Sequence, residues 1–181
     1  VDRHLIEAFF YSMELDLSRK VYDASGYQQY IYGSAEVVGL MCLQVFCDGD
    51  KNLYDKLKDP ARSLGAAFQK VNFLRDVKAD YEGMDRVYFP DCDFRNFTNE
   101  EKRQIEADIE ADFKDAYQGI IQLPMKARFG VYVAYKYYLS LFKKIKRLEA
   151  RRILEERIRI PNYGKAMIVA KAGLRSQFNI L

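Results

Sequence analysis

The sequence contains no tryptophan, a single histidine (His4), three cysteines (Cys42, Cys47, Cys92), four prolines and ten glycines in 181 residues. Each shortage excludes something. One histidine cannot build a His-rich metal centre, and Cys42 and Cys47 lack a second Cys or His pair. Zinc is therefore excluded, and any metal must be held by oxygens. An odd, sparse set of cysteines gives no disulfide framework and points to a reducing, cytoplasmic compartment. Few prolines and glycines leave room for long uninterrupted elements. No apolar run approaches the roughly 18 residues that span a bilayer, and the N-terminus lacks a signal-peptide pattern. Charge of one sign is also missing. Lys plus Arg is 29, Asp plus Glu is 26, and the two signs are interleaved, so no nucleic-acid partner is expected.

What is present is globular. Apolar residues make up 49% and charged residues 30%, enough for one domain over residues 1–181 with a real core. The 14 tyrosines and 12 phenylalanines belong mostly to that core, with enough left over to line an apolar ligand cavity. Leu5, Ile6, Phe9, Phe10, Met13 and Leu17 recur at helical spacing and form a stripe that needs covering. A turn over 22–26 precedes a second helix over 27–46. After a loop at Asp48–Asp50 comes a short helix over 53–57. Asp59 and Pro60 then suit the N-cap and first position of a long helix reaching residue 81. A loop follows over 82–96. Thr98 and Glu101 form a capping box opening a helix to residue 122. Pro124 opens another to residue 148, and Pro161 a last one after a charged stretch at 151–159. No segment alternates like a strand. The expected fold class is all-α.

The chemistry-bearing pattern lies on the helix after Pro60. Gln69, Asn72, Asp76 and Asp80 are three or four apart and share one face. Two carboxylates and an amide on one stripe suit half of a Mg²⁺ site, since a hard cation takes oxygen ligands and leaves room for a substrate's phosphates. The same residues also suit a solvated face, with Asp76 and Asp80 paired to Arg75 and Lys78. Arg75 and Arg86 stand close by and could grip phosphate oxygens bidentately.

Residues 64–90, LGAAFQKVNFLRDVKADYEGMDRVYFP, resemble the signature of the squalene and phytoene synthases. Leu64, Gly65, Gln69, Asn72, Phe73, Arg75, Asp76, Asp80, Arg86, Tyr88 and Pro90 all match. YIYGSAEVVGLM resembles a second family motif through Tyr30, Ala35, Val38 and Gly39, with Glu36 in place of a glycine that permits close helix packing. Weaker likeness runs from MELDL at 13–17, where Asp16 matches, to Tyr138 and Arg157. The resemblance implies an isoprenoid synthase fold, a helical bundle around a central cavity. It implies head-to-head condensation of two prenyl diphosphates through a cyclopropyl diphosphate. On that reading Asn72, Asp76 and Asp80 hold Mg²⁺ (Mn²⁺ as a substitute) against the diphosphate. Arg75, Arg86 and Arg157 grip phosphate, Gln69 binds the substrate head, and Tyr30 and Tyr138 face the reacting cation. The segment from Leu74 to Pro90 looks closer to the phytoene synthases, which use geranylgeranyl diphosphate. Dehydrosqualene or squalene synthesis from farnesyl diphosphate is the runner-up.

The family also carries an earlier acidic motif, and none precedes Tyr30 here. Asp108/Asp112 and Glu106/Glu110 have the spacing but lie downstream on a charged helix, where solvent exposure is expected. The resemblance thus implies a C-terminal portion of an isoprenoid synthase domain. Such a portion would turn over negligibly alone and expose apolar faces that favour self-association. A non-catalytic binding protein on the same fold is the competing class. The basic run KKIKRLEARR, 143–152, is either a solvated helix end or a peripheral contact with anionic lipid.

Overall fold

The computed structural model describes residues 1–18, 21–84, 88–90, 92 and 96–177, without the side chains of 18, 80–84, 176 and 177. Among these residues there is no strand, as the sequence implied. The stripe at the start becomes α1, Arg3–Ser18, but its orientation differs from the expected one. Leu5 and Ser12 point inward, while Phe10 and Leu17 stand 65% and 88% exposed.

The second helix starts earlier than residue 27. Asp23 accepts a hydrogen bond from the Gly26 amide at 2.7 Å and so opens α2, Ala24–Ile31. A five-residue π turn, Tyr32–Glu36, then leads directly into α3, Val37–Cys47. Asp48 and Gly49 both take positive φ (47° and 89°) and end the rod. From Ala24 to Cys47 this rod is, by length and composition, apolar enough to cross a membrane. That corrects the expectation that no segment approaches this length, because the average tolerates Glu36 and the three glutamines within the rod. In this structure Val37, Leu40 and Leu43 are buried.

Pro60 does not begin a helix. It sits inside α4, Lys51–Met84, a single helix of 34 residues. A mid-helix proline costs about 3 kcal/mol when nothing compensates. Here its ring fits against Gly119, where any Cβ would overlap it. The short helix and the long one therefore merge, and the turn ending in Met84 replaces the first part of the expected loop. Glu36 does not loosen the packing either. The close approach is made by Gly65, whose missing Cβ leaves room for the Ala35 carbonyl, and by Gly39 against the Ala61 carbonyl. Glu36 turns outward to Arg62 at 2.6 Å.

The capping box at Thr98 and Glu101 opens α5, Asn99–Ile120. Pro124 precedes α6, Met125–Lys146. The charged stretch forms a short α7, Ala150–Glu155, and then an extended segment held by buried Ile158. Finally α8, Asn162–Gln177, lies on α6. Helix α4 is the central rod, flanked by α3, α5, α6 and α7. Tyr132, Phe142, Leu74, Ile109 and Ile145 fill the core around it.

The downstream acids are a solvated face only in part: Asp108 and Glu110 are exposed as expected, while Glu106 is buried and Asp112 nearly so. Asp108 and Asp112 of α5 clasp the buried Lys70 of α4 at 2.5 and 2.7 Å. Glu106 is buried with Lys102, and Glu110 meets Lys146 of α6. Burial would push the Lys70 ammonium down, but the two carboxylates outweigh it and hold it above its ordinary value. Burial raises the Asp112 carboxyl against the pull of Lys70. The clasp thus favours the ammonium more than it favours the deeper of its two acids.

Candidate functional site: a polar stripe beside an apolar slot

Because α4 is regular through residue 84, the three-and-four spacing becomes geometry. Gln69, Asn72 and Asp76 follow one another up the same face. Asp80 is the next residue on that helical register, but its side chain, like the whole of Arg86, lies outside the described residues. Asn72 and Asp76 are neither fully buried nor fully exposed.

Each has a partner from a distant element. The Tyr138 hydroxyl of α6 donates to Asn72 Oδ1 at 3.3 Å, and its ring stacks on Phe68 with centroids 4.0 Å apart. Asp76 is held by two guanidinium groups. Arg75 Nε donates to Oδ1 at 3.0 Å and to Oδ2 at 3.1 Å, and its Nη2 also bonds Oδ2. Arg157 reaches over from the extended segment after α7. Its Nε lies 2.7 Å from Oδ1 and its Nη2 donates to Oδ2 at 3.4 Å. The bond to Asp76 holds Arg75 above its ordinary value despite partial burial. Lys78, whose expected pairing with Asp80 lies outside the described residues, has a backbone partner. Its Nζ donates to the Glu155 carbonyl at 2.8 Å, tying α4 to the end of α7.

Below the stripe runs a cavity of about 330 Å³ between α3, α4, α5 and α6. On α4 its wall extends from Leu57 through Ala61, Leu64, Gly65 and Phe68 to Gln69. That span is about 18 Å at the helical rise of 1.5 Å per residue. Leu43, Leu57 and Leu123 close the far end. Ser34 and Gln69 supply the amide and hydroxyl groups of a lining that is otherwise apolar. The Ser34 hydroxyl, on the π turn, is buried without a hydrogen-bond partner.

Tyr30 is elsewhere. It is 3% exposed, and its hydroxyl donates to Asp16 Oδ2 at 2.8 Å. Its ring packs among Tyr22, Phe73 and Tyr88. Burial, reinforced by the bond to Asp16, pushes the hydroxyl far above its ordinary value of 10. Sequence spacing brought together Gln69, Asn72, Arg75 and Asp76. It did not reveal the Tyr30–Asp16 pair, the Arg157–Asp76 pair or Ser34. Asp16 itself enters through family likeness, as the matching acid of MELDL, while its pairing with Tyr30 has no local signal.

The donor chemistry fits a hard divalent cation only in part. Asn72 and Asp76 offer oxygens on one face, as Mg²⁺ prefers. The described residues hold no group of three or more His, Cys, Asp or Glu arranged as a metal cage. A cation here would need waters, phosphate oxygens or Asp80 to complete its shell.

Comparison with known proteins gives a consistent picture. The family model described as squalene/phytoene synthase matches residues 1–164. Over 189 residues the chain is 28% identical to a phytoene synthase of Arthrospira platensis, covering 90% of this chain and 60% of that protein. It is 27% identical over 131 residues to the 15-cis-phytoene synthase of Enterobacter agglomerans, covering 65% and 43%. Among solved structures, a squalene synthase from Alicyclobacillus acidocaldarius superposes with a TM-score of 0.70 at 15% identity. That match covers 81% of this chain and 60% of that one, and it shows the all-α fold. The chain thus spans about 60% of the length of the first of these relatives.

Proposed function

Because the chain belongs to the squalene/phytoene synthase family, we propose that it carries the signature helix of an enzyme joining two prenyl diphosphates head to head. The product we assign is phytoene, from geranylgeranyl diphosphate in carotenoid biosynthesis. Two relatives described as phytoene synthases support that choice. One observation carries the reading: a stripe of side-chain oxygens and guanidinium groups continues along α4 from Gln69, which lines an apolar slot.

The parts divide the labour. The slot takes the prenyl tail and keeps water away from the allylic cation left when diphosphate departs. Gln69, where the slot meets the stripe, positions the substrate head. Arg75 and Arg157 have the fork geometry that grips phosphate oxygens in pairs. Asn72 and Asp76, with Asp80, would hold Mg²⁺ or Mn²⁺. Such an ion, when bound, neutralises charge developing on the leaving group. Tyr138 keeps the Asn72 amide oriented by donating to its oxygen, and Phe68 keeps Tyr138 in place by stacking. Tyr30 holds α2 against α4 through Phe73, away from the slot wall.

The test is an assay of the natural polypeptide that carries this chain, with Mg²⁺ and either geranylgeranyl or farnesyl diphosphate. The expected result is phytoene from the longer substrate. Asp76→Asn should lower turnover by roughly 10²-fold or more, the scale of losing one charge-stabilising group. Product from farnesyl diphosphate alone would replace the substrate assignment. No condensation product from either, or an Asp76→Asn enzyme with unchanged turnover, would overturn the reading.

A further inference from the structure

A carboxylate offers about four lone-pair directions. In Asp76, Oδ1 accepts from Arg75 Nε and has Arg157 Nε 2.7 Å away in an ion pair, while Oδ2 accepts from the Nη2 atoms of each arginine. The group carries one negative charge between two positive ones. A lone divalent cation approaching Asp76 finds a guanidinium group against each of its two oxygens. For such an ion to bind, one arginine must leave. The two differ in how firmly they are placed. Arg75 is on the same helix, with only 20% of its side chain exposed. The side chain of Arg157 is 49% exposed. It extends from a short segment anchored by Ile158, so it can swing without disturbing a helix. What draws an exposed guanidinium off a carboxylate is a better bidentate anion, and a diphosphate is one.

We propose that Arg157 masks Asp76 and that an arriving diphosphate unmasks it, so that cation and diphosphate bind this site as a pair and the bare cation binds poorly. The inference rests on the metal-and-diphosphate reading above and adds the order of binding to it. Its consequence is that the cation is recruited only when there is a leaving group to neutralise.

The test measures Mn²⁺ binding to the purified chain by electron paramagnetic resonance, with and without inorganic pyrophosphate. Free and pyrophosphate-bound Mn²⁺ are calibrated in protein-free samples. Wild-type chain should bind Mn²⁺ weakly alone and retain it with pyrophosphate. Arg157→Gln should bind bare Mn²⁺ about tenfold more tightly, a typical coupling magnitude, and lose most of the pyrophosphate effect. Arg157→Lys keeps the charge but not the fork and should fall between them. Arg159→Gln removes the same charge two residues away, from an exposed side chain, and should change bare-ion affinity by less than about threefold because exposed charges are screened. Circular dichroism confirms that each variant is folded. Equal bare-ion affinity in wild type and Arg157→Gln would overturn the masking while leaving the cation site standing. An equal gain in Arg159→Gln would also overturn it, by showing that only net charge matters. No Mn²⁺ binding to either protein under any condition would overturn both the masking and the cation site beneath it.

Discussion

Ser34 shows what a single side chain can reveal. A serine within a helix ordinarily returns its hydroxyl to the carbonyl four residues back. On the π turn that bond is not made, and the buried oxygen has no partner. Leaving such a group unsatisfied costs about 1–3 kcal/mol. Ser34→Ala should therefore be neutral or stabilising, by up to about 1 kcal/mol in urea denaturation. A clear loss of stability would mean the hydroxyl is satisfied after all. Lys70 is the opposite case. Lys70→Met strands Asp112 and should cost about 3–5 kcal/mol, while Lys70→Met combined with Asp108→Asn and Asp112→Leu should recover most of it. Failure of the combined variant to recover would locate the cost in packing rather than charge. These residues also mark what sequence could disclose. Asp108 and Asp112 are legible as a pair because helical spacing fixes their common face. Their cation is 38 and 42 positions away, and nothing local announces it. Arg157 lies 81 positions from Asp76, so spacing is silent and only family likeness singled it out.

Among the helices, glycine contacts decide which can approach. Gly65→Ala would drive a methyl into the Ala35 carbonyl, a backbone atom that cannot yield without moving the π turn. Gly130 of α6 has open space around it. The expected outcome is a contrast. Gly130→Ala should gain up to about 1 kcal/mol from helix propensity. Gly65→Ala should lose several times that through overpacking, about 1–3 kcal/mol or more. Thermal melts of the two side by side suffice, and equal effects would refute the close approach. Element boundaries were readable where a local signal governs them, as at Thr98–Glu101 and Pro124. They were misread where a tertiary contact overrules it. Pro60 has every local mark of a helix start, yet Gly119 supplies the notch that lets α4 run through it. The π turn has no local signature at all. Its register follows from how α1 and α4 pack on either side, where Gly33 meets Ala8 and Ser12 and Gly65 meets Ala35.

For the molecule as a whole, buried tyrosines set the alkaline limit of stability. Burial, first among the causes, raises the hydroxyls of Tyr27 and Tyr30 far above their ordinary value of 10. In the unfolded chain they ionise near 10, so above that pH the unfolded state binds fewer protons than the folded one, and stability falls as pH rises. Below pH 10 the contribution is fully present. The melting temperature should therefore drop steeply above pH 10, and tyrosinate absorbance should rise in two stages, the second coinciding with unfolding. A single smooth ionisation of all tyrosines before the fold is lost would contradict this. The all-α class was legible from composition and periodicity. Periodicity does not locate the exposed faces of α1 and α8, where Leu17 and Tyr163 stand 88% and 74% exposed, since it cannot say which neighbours are present; only the family resemblance implies uncovered apolar faces. One last consequence follows from the length of α4. A single rod carries both the slot wall, Leu57 to Gln69, and the polar stripe above it. Inserting or deleting one residue between Leu64 and Asn72 would slide the two by about 1.5 Å and turn them by about 100° relative to each other. A one-codon indel there would put the slot and the polar stripe out of register even where the helix survives it.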